Sequence, residues 1–313
     1  MRKKKKNEDK EPPTQALAIP PDPPVTISAE VQRLTFQVSP LSAKGLLSQQ
    51  SRDALKALMQ MNHGASIVRL RAFVAGTGDM RRVQTIVSET FTEKKQPLPV
   101  LTTVQVGGLP MVGAQVVLEA TSVDRKVTHP NGVVFLAGVR APDAAGVVAQ
   151  LKSAGSTSGE VLSVTCFLSA LEDETALRTQ LTAAFPTAAI NIMEAQRSPA
   201  GRFFECGATA EASANSRGAV ARTGKVVFSG LQMSFGKEDA DLRLAFERLK
   251  KALGGANVIA AHYYAMDHRV LEKLPEQGRA AFARPDLSST QVDIEGLPSL
   301  DANLGMDVVA EGN

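Results

Sequence analysis

The sequence predicts an α+β protein built from three homologous units, each with two helices on one face of a mixed sheet. An apolar strand recurs at residues 67–76, 161–170 and 258–267. An aromatic residue of each strand is followed 18 residues later by a phenylalanine that ends a helical stretch; the pairs are Phe73 and Phe91, Phe167 and Phe185, and Tyr264 and Phe282. Equal intervals with matching residue classes at three places indicate an internal repeat.

The repeat divides the chain into an arm at 1–27 and units at 28–124, 125–215 and 216–313. The arm combines a lysine run with six prolines between 12 and 24, a composition that cannot bury a core, so we expect it to be a disordered, solvated tail. Attachment of this tail to an acidic partner stays open. Residues 1–11 carry the whole net charge of +3, which leaves a neutral body without the footprint of a nucleic-acid-binding protein.

The cysteines and histidines predict neither a disulfide scaffold nor a metal site. Cys166 and Cys206 sit in apolar strands, so we expect buried reduced thiols in a reducing compartment. The four histidines show no metal-ligand spacing, and we expect no metal or cofactor. There is no apolar run long enough for a membrane helix and no signal peptide, which makes a cytoplasmic location the default expectation.

Helix boundaries can be placed from periodicity and capping residues. In the third unit apolar residues recur at three-to-four spacing between 242 and 253, which predicts an amphipathic helix. Gly254 follows that helix as a C-cap signal, and Asp79 is the predicted N-cap of the second helix of the first unit.

Alternation along the recurring strand separates its two faces. One face is apolar (Val68, Leu70, Ala72 and Val74, and then Leu162, Val164, Cys166 and Leu168) and should pack under the helices. The other face mixes polar and aromatic residues, among them Arg69, Arg71, Phe73, His262 and Tyr264. A half-apolar second face requires a partner, so we expect the three sheets to close on one another around a pseudo-threefold axis.

Several segments resemble the RidA/YjgF family, small enamine/imine deaminases that assemble as trimers. The first unit has Val104–Pro110 (VQVGGLP) and a strand that ends in Glu119-Ala120; the third has Ser229-Gly230 and Val292–Pro298 (VDIEGLP); the second has Ser163–Leu168 (SVTCFL). The resemblance covers residues 28–311. It implies a chorismate-mutase-like fold in which one chain forms an intramolecular pseudo-trimer.

The resemblance also implies site residues, one set for each unit. In the family an arginine binds the substrate carboxylate; its position falls on Leu101, on or beside Thr187, and on Ser289, none of them basic. The acid near the end of the last strand falls on Glu119, Glu205 and Asp307, which are therefore the candidate catalytic residues. Arg71 and Arg69, on the mixed face of the recurring strand, and His262, at the position equivalent to Arg71, are the candidates to replace the missing arginine. Together with Ser229 and Ser289 they are the candidate substrate-binding residues.

Two functions remain open from the sequence. The chain is either a deaminase-type enzyme acting on a small molecule at an inter-unit cleft, or a catalytically degenerate scaffold for small-molecule binding or protein interaction. In the second case Arg69 and Arg71 pair with the acids as structural ion pairs. Chorismatase-like chemistry is less favoured because it requires clustered arginines. We expect a small-molecule ligand, no membrane partner, and a monomer or a weakly associating dimer.

Overall fold

The structure, a computed structural model, describes residues 20–24, 26–30, 34–123, 132–155, 159–196, 201–211, 226–236 and 238–311. Three mixed sheets carry six helices. The first unit contains β2 (Leu34–Val38), α1 (Leu47–Met61), β3 (Ser66–Ala75), α2 (Met80–Glu93), β4 (Val100–Val106) and β5 (Val116–Val123). Its strand order is β2-β5-β3-β4, with β3 parallel to β4 and antiparallel to β5.

The second unit repeats this arrangement and gains an edge strand. It contains β6 (Gly132–Ala141), α3 (Ala144–Ala154), β7 (Val161–Leu168), α4 (Glu174–Ala184), β8 (Ala189–Glu194) and β9 (Phe204–Glu211). The edge strand β1 (Thr26–Glu30) pairs with β6, in the order β1-β6-β9-β7-β8. The structure thus places 26 and 27 in a strand instead of the predicted arm, and places 28–30 in the second sheet instead of the first. Residues 1–19 of the predicted arm lie outside the described residues.

The third unit has the same core topology with a divided first strand. It contains β10 (Val226–Phe228), β11 (Gln232–Ser234), α5 (Asp239–Leu253), β12 (Asn257–Ala265), α6 (His268–Ala281), β13 (Ser288–Asp293) and β14 (Leu304–Glu311). Its strand order is β10-β14-β12-β13, and β11 also pairs with β14. With three such units, the predicted α+β fold class is confirmed.

The predicted helix caps are confirmed. The Asp79 carboxylate accepts hydrogen bonds from the backbone N–H groups of Arg81 and Arg82 at 3.0 and 3.3 Å, which satisfies two free donors at the start of α2. Gly254 ends α5 at a φ of 58°, in the left-handed region where glycine carries no Cβ penalty.

Each sheet buries one face under its own helices, as the alternation predicts. Leu70, Ala72 and Val74 pack with α1 and α2, and Val164, Cys166 and Leu168 pack with α3 and α4. The prediction is wrong for Val68 and Leu162, which pack on the inter-unit side. The reason is a β-bulge, because the register of the recurring strand against the last strand shifts at this point in all three units.

The cysteines also differ from the prediction. Cys166 and Cys206 are fully buried as expected, but they form a disulfide. They are directly opposite residues of β7 and β9, with Cα atoms 4.1 Å apart, so strand pairing brings together two sulfurs that the sequence separates by 40 positions. The prediction of reduced thiols is therefore wrong, and the cysteines no longer support a reducing compartment.

The second faces of the three sheets meet in one shared core. Phe73 and Phe167 pack edge to face with ring centroids 5.8 Å apart, and Phe167 and Tyr264 do so at 6.0 Å. The apolar cluster around them includes residues of all three units. The equivalent aromatic residues of the repeat therefore converge at the centre of the molecule.

Polar links join the third unit to the first at the ends of β4 and β13. The backbone of Gly108 and Asp293 forms an antiparallel bridge. His268 contacts the Asp293 Oδ2 at 2.9 Å through Nδ1 and the Pro110 carbonyl oxygen at 2.7 Å through Nε2. Both partners accept, so the ring donates from both nitrogens as an imidazolium. The hydrogen bond to Asp293 correspondingly raises the pKa of His268. No helix in the described ranges is long and apolar enough to cross a membrane.

Candidate functional site

A buried row of ionisable side chains joins the first and third units. Arg71 on β3 lies opposite Glu119 on β5 and donates two hydrogen bonds to its carboxylate, from Nε at 2.8 Å and from Nη2 at 2.7 Å. Each side chain is only 4% exposed. The strand register fixes this pair, and its parallel geometry is the strong, bidentate form of an arginine–carboxylate contact.

His262 continues the row into the third unit. Its Nδ1 lies 2.6 Å from Asp307 Oδ1, and its Nε2 lies 3.2 Å from Glu119 Oε2. The Thr290 hydroxyl donates to the same Glu119 oxygen at 2.5 Å. Both ring nitrogens therefore face carboxylates, which makes His262 an imidazolium that donates at each end.

The electrostatics agree with this geometry. Burial alone would raise the pKa of Glu119, but Arg71 and His262 hold it well below its usual value. Burial alone would lower the pKa of His262, but the carboxylates of Glu119 and Asp307 raise it. Both Glu119 carboxylate oxygens accept hydrogen bonds, and the two Arg71 groups that face them, Nε and Nη2, both donate. The row is thus a structural network closed around Glu119, to which the Arg71 Nε and Nη2 groups are committed, although Asp307 Oδ2 has no partner among the described residues.

Glu205 lies elsewhere, on β9 at the boundary of the second and first units. Its nearest charged partner among the described residues is Arg140 on β6, with Nη1 3.9 Å from Oε2. Burial raises the pKa of Glu205 to about 7, and Arg140 offsets this only in part. The Arg140 guanidinium stacks 3.9 Å from the ring centroid of Phe203, and its side chain is 42% exposed. This is an arginine–acid pair that solvent reaches from one side.

The absence of a side chain at Gly138 lets the Glu205 carboxylate and Thr102 pack close to the backbone of β6. A Cβ at Gly138 would lie 2.6 Å from Glu205 Oε1 and 2.9 Å from Thr102 Cγ2. Thr102 belongs to β4 of the first unit, so Glu205, Gly138 and Thr102 line one cleft between the first two units. Alanine at 138 would therefore require the Glu205 carboxylate and the Thr102 side chain to shift.

Strand register corrects two of the alignments made from the sequence. In the first and third units, Leu101 pairs with Leu70, and Ser289 pairs with the equivalent residue Ala261. In the second unit the residue at this register is Ile190, not Thr187. Leu101 packs in the helix-side core, and Ser289 bonds to Gln291 on the same side of its strand. The positions therefore face away from the clefts, since alternate residues of a strand point to opposite faces.

The second correction concerns the acid of the second unit. Arg71 and His262 oppose Glu119 and Asp307, but the equivalent Thr165 opposes Gly207. Glu205 lies two residues earlier on the same face. The second unit thus lacks an acid at the shared register and carries a displaced one.

The remaining predicted residues are in different places. Ser229 is buried and its hydroxyl accepts from the Val308 backbone, which ties the start of the third unit to its last strand. Its carbonyl oxygen also faces the Asn191 amide of the second unit at 3.4 Å. Arg69 lies over the Phe135 ring, 5.4 Å from its centroid. Arg71, Glu119, His262 and Asp307 are therefore brought together, and Arg69 lies within range of the charges of this row, whereas Glu205, Ser229 and Ser289 stand apart from it.

Sequence reasoning missed Arg140, Thr102 and Thr290. The two threonines follow Leu101 and Ser289 by one residue, and strand alternation alone would have placed them on the inner face. Arg140 gave no such signal because it follows a bulge between Leu136 and Val139 that resets the alternation of β6. In the part of the chain that the structure describes, no group of three or more His, Cys, Asp or Glu side chains could hold a metal.

No family model matches the chain, and no curated protein matches it significantly. Solved structures are similar to it, including members of the family that the sequence resembles. Rv2704 of Mycobacterium tuberculosis, from the YjgF/YER057c/UK114 family, is 21% identical over 29% of this chain and 83% of its own, with a TM-score of 0.26. E. coli TdcF with bound serine is 17% identical over 31% and 85%, with a TM-score of 0.27. A chorismatase is 12% identical over 92% and 99%, with a TM-score of 0.49. No function follows from likeness at these identities.

Proposed function

We propose that this chain acts as an intramolecular pseudo-trimer with one live cleft, between the first and second units, where it hydrolyses the imine of a small carboxylate-bearing molecule. The observation that carries the proposal is the state of Glu205. Its carboxyl is buried and is held 3.9 Å from a partly exposed arginine. It also lies against Gly138, where any added side chain would displace it. A buried acid without a close partner suits proton transfer better than structural support.

Glu205 serves as general acid and then as general base. Its carboxyl protonates the imine nitrogen, and the resulting carboxylate takes a proton from the water that attacks the imine carbon. The tetrahedral carbinolamine then receives that proton on nitrogen and releases ammonia, while the Glu205 carboxylate takes the hydroxyl proton as the carbonyl forms and so becomes the acid again. A pKa of about 7 allows both forms of Glu205 to be populated near neutral pH, where such catalysis is most efficient.

Arg140 takes the place of the missing clamp in this proposal. Stacking on Phe203 orients its guanidinium, and none of its side-chain N–H groups donates to a described residue within hydrogen-bond distance. Those donors are available for the two oxygens of a substrate carboxylate. Bound there, the carboxylate would place the adjacent imine carbon toward the buried Glu205 and Thr102.

The test uses 2-aminoacrylate, released in situ by a pyridoxal-phosphate-dependent dehydratase, and follows ammonia and pyruvate formation. Wild-type chain should accelerate hydrolysis over the uncatalysed rate. Glu205→Gln should lower kcat by about 10²- to 10⁴-fold, and Gly138→Ala should raise KM by crowding the cleft. The matched control is Glu211→Gln, at the exposed end of the same strand, which should keep wild-type rates. Absence of acceleration at high protein concentration, or full activity of Glu205→Gln, would refute the reaction.

A catalytically inactive binding scaffold is the second candidate. The closed network of Arg71, Glu119, His262 and Asp307 favours it, because the acids of the other two units have become structural. This alternative predicts that a stable carboxylate such as pyruvate binds at Arg140 without turnover of the imine. Glu205→Gln would then leave binding unchanged, and Arg140→Met would abolish it.

A further inference from the structure

Arg69 differs from Arg71 and Arg140 because no carboxylate of a described residue lies within ion-pair distance of it. It projects from β3 on the inner face of the first sheet, two residues before Arg71, and its guanidinium lies over the Phe135 ring of the second unit. Arg69 makes no hydrogen bond and no ion pair with any described residue. Its neighbours in the row, Arg71 and His262, both have carboxylate partners. The Arg69 side chain is partly exposed, and no carboxylate among the described residues lies within ion-pair distance of it, so its N–H groups are available to an anion.

A second polar group without a partner lies beside it. Thr121 is directly opposite Arg69 in the antiparallel ladder of β3 and β5, on the same face of the sheet. Directly opposite residues have Cβ atoms about 5 Å apart. Thr121 is 1% exposed, and its hydroxyl oxygen has no hydrogen-bond partner. The partly exposed Arg69 guanidinium and the buried Thr121 hydroxyl, which has no partner, are therefore neighbours on one face of the sheet.

The charges around Arg69 indicate the charge that a ligand should carry. The groups that act on it are Arg71, Glu119, Tyr264 and Asp307, and His262 completes the row. Tyr264 is neutral, because burial raises its pKa well above the usual value. Three cations and two carboxylates leave a single positive charge uncompensated. Burial and Arg71 lower the pKa of Arg69 to about 10, which still keeps it protonated at neutral pH.

We propose that Arg69 and Thr121 form a binding site for a monoanionic carboxylate, separate from the Glu205 cleft. With one face of the guanidinium covered by Phe135, its N–H edge is the direction left for a ligand. A planar carboxylate matches that edge with two parallel hydrogen bonds, and the Thr121 hydroxyl can donate a third. A dianionic tetrahedral group would overcompensate the single charge and would meet Glu119 and Asp307 unfavourably. Arg69 is partly exposed, so the site is reachable from solvent.

The test is acetate binding to the full chain, followed by titration calorimetry and by thermal unfolding at constant ionic strength, with chloride as the reference anion. All variants also carry Arg140→Met, so that a carboxylate bound in the other cleft is not counted. Acetate at a hundred times its Kd should lower the unfolding constant of this parent by about 100-fold. Arg69→Met should abolish the effect, and Thr121→Val should weaken binding about tenfold, as expected for one hydrogen bond.

Two further outcomes make the test decisive. Arg69→Met should fold and, without acetate, be at least as stable as its parent, because it removes an unpaired charge. A destabilised Arg69→Met with no acetate effect in the parent would show that Arg69 is satisfied internally, for example through water to Asp307, and would overturn the proposal. Sulfate binding as tight as acetate would overturn the carboxylate assignment. Since the imine assay does not involve Arg69, either result leaves the Glu205 proposal to be judged separately.

Discussion

Replacing Arg71 by methionine tests whether the row between the first and third units is structural. The substitution preserves most of the volume but removes both hydrogen bonds to Glu119. Glu119 then keeps only His262 and Thr290 as partners, while remaining buried. Two charge-assisted hydrogen bonds at about 1.5–3 kcal/mol each give a loss of about 3–6 kcal/mol. Breaking one side of a buried ion pair costs about 3–5 kcal/mol, which agrees. Such a loss is a large part of the stability of an ordinary domain.

The measurement is urea unfolding at pH 7, followed by far-UV circular dichroism and tyrosine fluorescence. Coincidence of the two transitions would justify a single free energy of unfolding for each variant. We expect Arg71→Met and Glu119→Met each to be strongly destabilised, and the double variant to cost clearly less than their sum, because it leaves no uncompensated charge at this pair. A loss below about 1 kcal/mol for Arg71→Met, which is the range of exposed pairs, would refute the assignment of a closed network and return Arg71 to the list of ligand-binding residues.

Three further predictions test the packing. The pKa of His268 is raised in the folded chain, so its contribution to the free energy of unfolding is complete below the unfolded pKa of about 6.5 and is lost as pH rises through the folded pKa. Free energies of unfolding measured at several pH values should show this fall, and His268→Gln should flatten it. Gly278→Ala would place a Cβ 2.0 Å from the Tyr263 hydroxyl oxygen and should cost about 1–3 kcal/mol by urea unfolding, most of it recovered when Tyr263→Phe is added. A joint replacement of Cys166 and Cys206 by alanine should cost about 4 kcal/mol for a loop of this length, and mass spectrometry after alkylation without reductant should find no adduct on the native chain.

The fold was predictable because its signals are local and repeated. The interval of 18 residues from Phe73 to Phe91 recurs twice in the chain. It spans the end of the recurring strand and the helix that follows, and its length is the same in all three units. Alternation identified the second face of the recurring strand as half apolar, and that face is where Phe73, Phe167 and Tyr264 meet. Neither inference required knowledge of which residues lie opposite one another across a strand pair.

The site was less predictable because it depends on register between strands. The sequence gives the acids Glu119, Glu205 and Asp307, but not that Glu205 lies two residues away from the position its counterparts share. The disulfide was not predicted for the same reason, because Cys166 and Cys206 come together only through the pairing of β7 with β9. A bulge of one residue changes which face a side chain joins and leaves no local mark in composition.

A single chain allows its three clefts to diverge, and the structure shows the result. In an assembly of identical copies, a substitution that closes one cleft closes all of them, because every interface uses the same residues. Here the interface of the first and third units has Arg71 and His262 between carboxylates, whereas Thr165 occupies the equivalent position of the second unit and cannot form such a network. The row of Arg71, Glu119, His262 and Asp307 joins the first and third units, whereas Glu205 has only Arg140 as a charged partner among the described residues. A buried acid with a pKa of about 7 and one arginine 3.9 Å away is tolerable only in a scaffold stabilised elsewhere, and for that reason we expect one imine-binding cleft per chain instead of three.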